Sequence, residues 1–404
     1  VLDPTVVAIP FYFGSMEAER RYLLQREEQH HDDAPAEPTS PAVYTKDDAV
    51  ASLTMGTISL FAPLLSLAVG RYLAPGKGRF PRVLVGTAAG AVVATLVADR
   101  LARHDEPDDP EPQPADDAPT RRRRAVRRWA TKVSKVGGPV AIGAGTLAVS
   151  STIATRFSPQ AMWEKRGQHR DRGGSIAPWI AALLGWDFIY YWNHRMMHEV
   201  RMGWALHVVH HSSEHYNLST ALRQPVADVL GLNVPYGLLS YAGLRPELVE
   251  QARGWNLLYQ YWIHTDAIRR IGKGEEVLNT PSHHRVHHGS NRKYLDRNHG
   301  SILITWDRLF GTFQREEEPV VYGLTKNIDT YNPLRIATHE YRDIVVDVAR
   351  STTWKDRLSY AFRGPGWAYE RREQQVVAEQ PLLGDPVEVE LAVDDAVPEG
   401  AGRS

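Results

Sequence analysis

The chain has 404 residues, with 47 Lys plus Arg against 48 Asp plus Glu and a formal net charge of −1. That balance argues against a nucleic-acid-binding protein, which carries a clear basic excess. Cysteine is absent, which excludes disulfides, thiolate-held zinc or iron–sulfur centres and a cysteine nucleophile.

Apolar residues gather in long uncharged runs. Residues 4–16 form the first, with no basic residues ahead of it. It makes a poor signal peptide and reads as a short interfacial helix or an ordinary buried one. Residues 49–70 are uncharged throughout, long enough to cross a hydrocarbon core of roughly 30 Å. Residues 136–155 form a second such run between Lys135 and Arg156, residues 83–98 a shorter one, and residues 173–186 a fourth that extends past Asp187. Between the runs 83–98 and 136–155 lie seven acids and five prolines over 104–120, then eight bases over 121–135. The whole insertion, about 102–135, is expected to be a disordered loop leading into a basic juxtamembrane segment. The stretches 229–244 and 254–263 are too short for independent spans and read as a hairpin. The tail, 371–404, carries eight acids against three arginines and is expected to be disordered.

Histidine is the informative residue. Eleven of the 17 fall between His194 and His288, where even spacing would place about 4. They form three clusters: His194/His198, His207/His210/His211, and His284/His287/His288 with His283 beside it. On a helix His194 and His198 lie about 40° apart, and each triplet falls within about 100°. Each cluster therefore aims its imidazoles at one focus. Eight ligands exceed what one four-coordinate zinc needs and suit two metal ions. Neutral imidazole accepts iron, zinc or copper, and the spacing does not choose among them. His264 is placed to complete the set. His299 and the remaining histidines lack ligand spacing.

Asp187 shares a helical face with Tyr191, His194 and His198. A buried carboxylate there either accepts the far N–H of a ligating histidine, or pairs with Arg195 or the backbone. A zinc-dependent membrane hydrolase, with Glu214 as base, and a non-catalytic metal-binding membrane protein remain alternatives.

At these residues the sequence resembles the fatty acid hydroxylase/sterol desaturase superfamily of membrane non-haem diiron oxygenases. The resemblance runs through Trp186-Asp187 to Tyr191-Trp192-Asn193-His194, through His210-His211 to Asn217 and Arg223-Gln224, through Asn279 to His288-Gly289, and through Trp306-Asp307 to Gly311-Thr312-Phe313. It implies an all-α, multi-span helical integral membrane protein with a cytosolic histidine-rich cap over two iron ions. The metal ligands it implies are His194, His198, His207, His210, His211, His264, His283, His284, His287 and His288, and it makes Asp187, Tyr191 and Asn217 candidate catalytic residues. It further implies O2 as co-substrate, hydroxylation or desaturation of a membrane lipid, and an external electron donor, a pterin or a separate reductase. Many sterol-directed members carry a histidine shortly after the arginine that here is Arg223; Gln224-Pro225 stands there instead, which favours an ether-lipid or fatty-acyl substrate. The expected organisation is an N-terminal segment (1–48), membrane segments (49–172), a catalytic domain (173–315), its extension (316–370) and the tail.

Overall fold

The computed structural model describes residues 4–33, 40–61, 79–103, 118–225 and 234–379. Among these residues the fold is all-helical, with a single isolated antiparallel bridge, Leu278 to Leu303. The helices, in order, are α1 (Pro4–Val7), α2 (Ile9–Asp33), α3 (Lys46–Ser59), α4 (Arg79–Arg103), α5 (Ala118–Arg156), α6 (Pro159–Lys165), α7 (Ile176–Glu199), α8 (Arg201–His211), α9 (Gly237–Tyr241), α10 (Pro246–Trp262), α11 (Pro281–His287), α12 (Thr305–Phe310), α13 (Pro333–Arg350), α14 (Trp354–Phe362) and α15 (Pro365–Glu379). The chain divides near Pro365 into two units, and the second contains most of α15.

Two helices are long and apolar enough to cross a membrane, Arg82–Arg103 within α4 and Ala118–Arg156. They pack along each other as a hairpin. A side chain at Gly137 would meet Thr95 Oγ1 at 2.2 Å, so glycine is what lets the two backbones approach. Outward-facing Val83, Val85, Val93, Val97, Val136 and Val149 are each at least half exposed. The basic run departs from the expected disorder. Residues 118–135 continue α5 as helix, because Arg, Ala and Lys are good helix formers and no Gly or Pro interrupts 120–135. Residues 104–117 lie outside the described part. The hairpin is fastened to the rest of the unit by Arg357 of α14. Its guanidinium binds the Asp99 carboxylate and donates to Ser134 Oγ at 2.8 Å, while Ser134 Oγ donates to Asp99 at 2.6 Å.

The other expected runs do not all face outward. In α3, Ala51 and Met55 pack against Val209 and Ile336, a burial that stabilises by about 1.5–3 kcal/mol per large side chain. The remainder of 49–70, from 62 on, lies outside the described residues. Residues 4–16 behave as a half-buried helix: Tyr12 and Met16 pack on Leu218, Ala221 and Tyr261, while Phe11 and Phe13 are exposed. Of the expected hairpin arms, 229–244 lies outside the described residues up to 233 and then forms the short α9, and 254–262 of the second falls in α10. Helix α15 runs through Glu379, into the segment read as a structureless tail.

Three apolar clusters, α7 on α10, α2 on α10 and the segment after α8, and α3 on α8 and α13, fasten the helices that carry the first two histidine clusters. The chain turns sharply between α7 and α8. Val200 is extended (φ −121°, ψ 117°), and a side chain at Gly203 would approach Met197 Cα at 3.0 Å. Fully buried Arg201 locks that turn, donating to Glu340 and Asp347 of α13 at 2.6 Å each. Breaking such a buried pair costs about 3–5 kcal/mol.

Candidate metal centre

Nine histidines converge in two adjacent groups. His194 and His198 of α7, His207 and His211 of α8 and His287 of α11 form one; His210, His264, His284 and His288 form the other. Within each group the ligand nitrogens lie within 4.8 Å of one another and every residue is buried. The groups touch: the His211 and His288 rings stack at 4.4 Å. The helical spacing explains the partition. In the second cluster the i,i+4 pair His207/His211 serves the five-histidine group and His210 serves the other. In the third cluster the roles reverse, with His284/His288 in the four-histidine group and His287 in the five.

Backbone carbonyls fix the rings. His194 Nδ1 lies 2.8 Å from His299 O, His287 Nδ1 2.9 Å from Arg297 O, His264 Nδ1 2.7 Å from Gln260 O, and His210 Nδ1 3.3 Å from Arg223 O. A carbonyl only accepts, so each of these Nδ1 atoms carries the proton and each Nε2 of a neutral ring presents a lone pair. Burial keeps the rings neutral. It pushes His194 down to about 3 and His264 to about 4, and drives His207, His210, His211, His284, His287 and His288 well below the usual imidazole range, with the neighbouring rings adding to the effect in all of these but His264.

The consequence is one pair of facing acceptors within two sets of closely spaced ring nitrogens. His210 Nε2 and His264 Nε2 sit 3.0 Å apart with no proton between them, and His264 Nε2 is 2.8 Å from His284 Nε2. In the other group His207 Nε2 lies 2.8 Å from His194 Nε2 and 3.1 Å from His211 Nε2. The Nε2 atoms of His198, His287 and His288 are buried without a partner. Lone pairs held this way repel unless a cation lies between them, and adjacent ligands on a metal at about 2.1 Å stand roughly 3 Å apart. The donor set therefore fits two cations. It contains only imidazole. The one carboxylate seen beside it is Asp296, 3.5 Å from His198 Nδ1 and largely exposed.

The other expected site residues are placed differently. His283 is buried but belongs to neither group; its ring packs on Phe313 at 5.5 Å, and its Nδ1 is 3.5 Å from Thr280 Oγ1. Its neighbour His284 takes the inward position on α11, because consecutive residues point about 100° apart. Asp187 binds neither a histidine nor Arg195. Its carboxylate accepts from Ile302 N–H at 2.7 Å, Leu303 N–H at 3.3 Å, Trp306 Nε1–H at 2.8 Å and Asn256 Nδ2–H at 3.0 Å. Arg195 pairs instead with Glu199 at 2.8 Å. Tyr191 OH lies 3.0 Å from Thr312 Oγ1. Asn217 ties the loop after α8, accepting from Ser219 Oγ at 2.6 Å and donating to Ala42 O at 3.2 Å. Glu214 is exposed.

Two residues escaped the reading from spacing. His299 is fully buried with its ring 5.0 Å from His198 and 5.7 Å from His194, and its carbonyl holds His194. Asp307 fixes that carbonyl. It accepts from His299 N–H and Gly300 N–H at 2.7 Å each and from Thr312 Oγ1 at 2.6 Å. Asp187 and Asp307 thus grip one strap, residues 299–303, from both ends. A lone acid in an otherwise apolar run marks Asp307 in the sequence, as it does Asp187; nothing in the spacing marks His299.

Residues 179–312 match the family described as fatty acid hydroxylase. Alkylglycerol monooxygenase of Homo sapiens is 48% identical over 189 residues, covering 47% of this chain and 42% of that protein. Its counterpart in Xenopus tropicalis is 43% identical over 211 residues, 52% of this chain and 45% of that one. An ornithine lipid hydroxylase of Rhizobium tropici is 27% identical over 151 residues, 35% of this chain and 43% of that one. The chain thus spans less than half the length of these relatives, and no solved structure matches it. All nine convergent histidines fall inside the stretch that matches the fatty acid hydroxylase family.

Proposed function

We propose that the chain is a membrane-bound, non-haem diiron oxygenase that uses O2 to hydroxylate a lipid C–H bond, with an ether-lipid or fatty-acyl substrate favoured over a sterol. The observation that carries the reading is the pair of all-imidazole groups with facing lone pairs. The relatives, named as lipid-directed monooxygenases and hydroxylases, supply the substrate class. Five and four histidines would hold one iron each, and the bound pair would supply O2 activation against an unactivated C–H bond.

The protein's own part is placement and exclusion. The carbonyls of His299, Arg297, Gln260 and Arg223 fix the tautomers of His194, His287, His264 and His210, so those four ligands need not reorganise. All nine histidines are buried, which keeps bulk water from them. Helix α7 exposes Ile176, Ile180, Leu184 and Phe188 at intervals of four, an apolar stripe on the helix that carries His194. That stripe and the α4–α5 hairpin favour a lipid approaching from the membrane. Electrons come from a separate donor, a pterin or a reductase, and the site faces the cytoplasm, where reductant is made.

The hydrolase alternative loses its base, because Glu214 is exposed and neither histidine group contains a carboxylate. Protein made in iron-replete cells should hold two irons per chain and convert an alkylglycerol in vesicles only with O2 and reductant. One iron or fewer at full activity, or turnover without O2, overturns the proposal. Cysteines at exposed Glu214 and Arg292 should label from the cytoplasmic side alone; the chain has no native thiol to interfere.

A further inference from the structure

We propose that Glu19 and Asp48, on helices that precede the family-matched stretch, are positioning residues for the four-histidine group. The inference rests on the two-metal reading above. The five-histidine group is braced from within the matched stretch, by Asp187 and Asp307 acting on the strap that holds His194. The other group draws two carboxylate supports from outside that stretch, on α2 and α3.

Glu19 is 6% exposed. Its carboxylate accepts from Thr265 Oγ1, from Tyr44 OH at 2.5 Å and from Leu218 N–H at 2.8 Å. Thr265 follows His264, the sole member of the centre that stands outside the three clusters. Leu218 lies in the loop after α8. One carboxylate thus fixes the turn bearing His264 and the loop leaving His210 and His211. Asp48 is 2% exposed. It accepts from Arg223 Nη1 at 2.5 Å and from Ser213 Oγ at 2.8 Å, closing the two ends of the same loop. The Arg223 carbonyl is the one that holds His210 Nδ1. His210 and His264 then meet at 3.0 Å.

Both acids stand on helices anchored independently. Ser15 Oγ and Tyr261 OH lie 2.8 Å apart, Tyr12 packs on the Tyr261 ring at 4.3 Å, and Met55 seats α3 against Val209. A carboxylate suits the Glu19 position because all three partners donate. In Glu19→Gln the amide nitrogen must face a donor, either Thr265 Oγ1–H or the pair Tyr44 OH and Leu218 N–H.

Cobalt(II) is the probe, since imidazole sites bind it whether or not the chain is an oxygenase. Full-length wild type, Glu19→Gln, Asp48→Asn and Thr265→Val are loaded with it and titrated with a chelator. Far-UV circular dichroism reports whether each remains folded. His264→Ala and His287→Ala supply reference spectra for loss of the four- and the five-histidine group. Wild type should bind two ions. The three variants should release one of them about 10–100-fold more readily, with the spectral change of His264→Ala and not that of His287→Ala. Thr265→Val is the sharpest arm, because it removes only the hydroxyl that donates to Glu19 and accepts from Ala267 N–H, keeps the residue's shape and leaves Glu19 its other partners. Two ions held with wild-type affinity in the variants, simultaneous loss of both from a folded variant, or one ion in wild type overturns the inference. Failure of the oxygenase reading shows separately, as iron-loaded wild type that forms no O2-dependent product.

Discussion

The five-histidine and four-histidine groups are built from the same two HxxHH clusters used in opposite senses. Each group takes the outer pair of one cluster and the middle histidine of the other. What differs is the remainder. The first group is completed by His194 and His198, a pair one turn apart on α7; the second is completed by His264 alone, at the end of α10. The difference teaches how a dinuclear centre can be redundant on one side and minimal on the other. Five imidazoles can lose one and still offer four donors, whereas four cannot.

Metal removal should have the largest effect and should fall on both groups. Nine buried imidazoles, with ring nitrogens facing at 2.8–3.1 Å and two lone pairs opposed at His210 and His264, are uncomfortable neighbours without cations. A site filled at about 1,000 times its dissociation constant stabilises by about 4 kcal/mol. Exhaustive chelation should abolish activity and lower the melting temperature by several degrees, and iron should restore both. An apoprotein that melts with the holoprotein would mean that the histidines are packed and not ligating.

Single ligand changes come next and should separate the groups. His264→Ala should lose one ion completely, because it removes the donor whose Nε2 lies 3.0 Å from His210 Nε2 and 2.8 Å from His284 Nε2 and leaves only three imidazoles. His198→Ala should weaken its ion less, leaving His194, His207, His211 and His287 in place. Metal analysis at graded chelator concentrations distinguishes them. Equal losses would break the contrast between a redundant and a minimal group.

These two residues also show what the sequence could and could not tell. The clusters were legible because 3.6-residue periodicity puts i, i+3 and i+4 on one helical face, and α8 and α11 obey it. How the triplets divide between two centres was not legible, since that depends on how α8 and α11 pack. His264 was named for its place near the end of an apolar stretch, with no spacing to support it. The supports were the least legible. Glu19 contacts Thr265, and Asp48 contacts Arg223, across long separations; no periodicity connects them. Asp187 was legible as an acid needing a partner, and of the alternatives, a histidine, Arg195 or the backbone, the fold takes the backbone, at amides 115 and 116 residues away. The apolar parts of the membrane hairpin, 83–98 and 136–155, are legible as charge-free runs, but their pairing with each other is not, and the density of charge in 118–135 hides its helix propensity.

Loosening the strap should have an intermediate effect confined to the five-histidine group. In Asp307→Asn one carboxylate oxygen becomes an N–H2 facing a donor, so the His299 carbonyl loses its fixed position. Asp187→Asn does the same to residues 302 and 303 from the other end. Each should cost about 10–100-fold in affinity for one ion, the Asp307 change more, since it acts on His299 itself. Both should leave the ion of the four-histidine group unaltered. A loss shared equally by both groups would show that the strap supports the fold in general.

The smallest effect belongs to His283, which sits beside His284 in the sequence and outside both groups in space. On α11 the rotation of about 100° per residue cannot aim consecutive side chains at one centre. His284 faces His264 at 2.8 Å, and His283 is turned toward Phe313 and Thr280 instead. Burial lowers the His283 pKa to about 4, so the ring is neutral and acts as a flat, weakly polar packing piece. His283→Ala should therefore leave two ions per chain, with chelator resistance close to wild type. Its cost is a cavity next to Phe313, about 0.5–3 kcal/mol of stability, read as a lower melting midpoint with kcat nearly unchanged. His283→Phe should recover part of that stability while offering no donor at all. If either variant instead loses an ion as His284→Ala should, the third cluster contributes a fourth ligand, and the minimal group is not minimal.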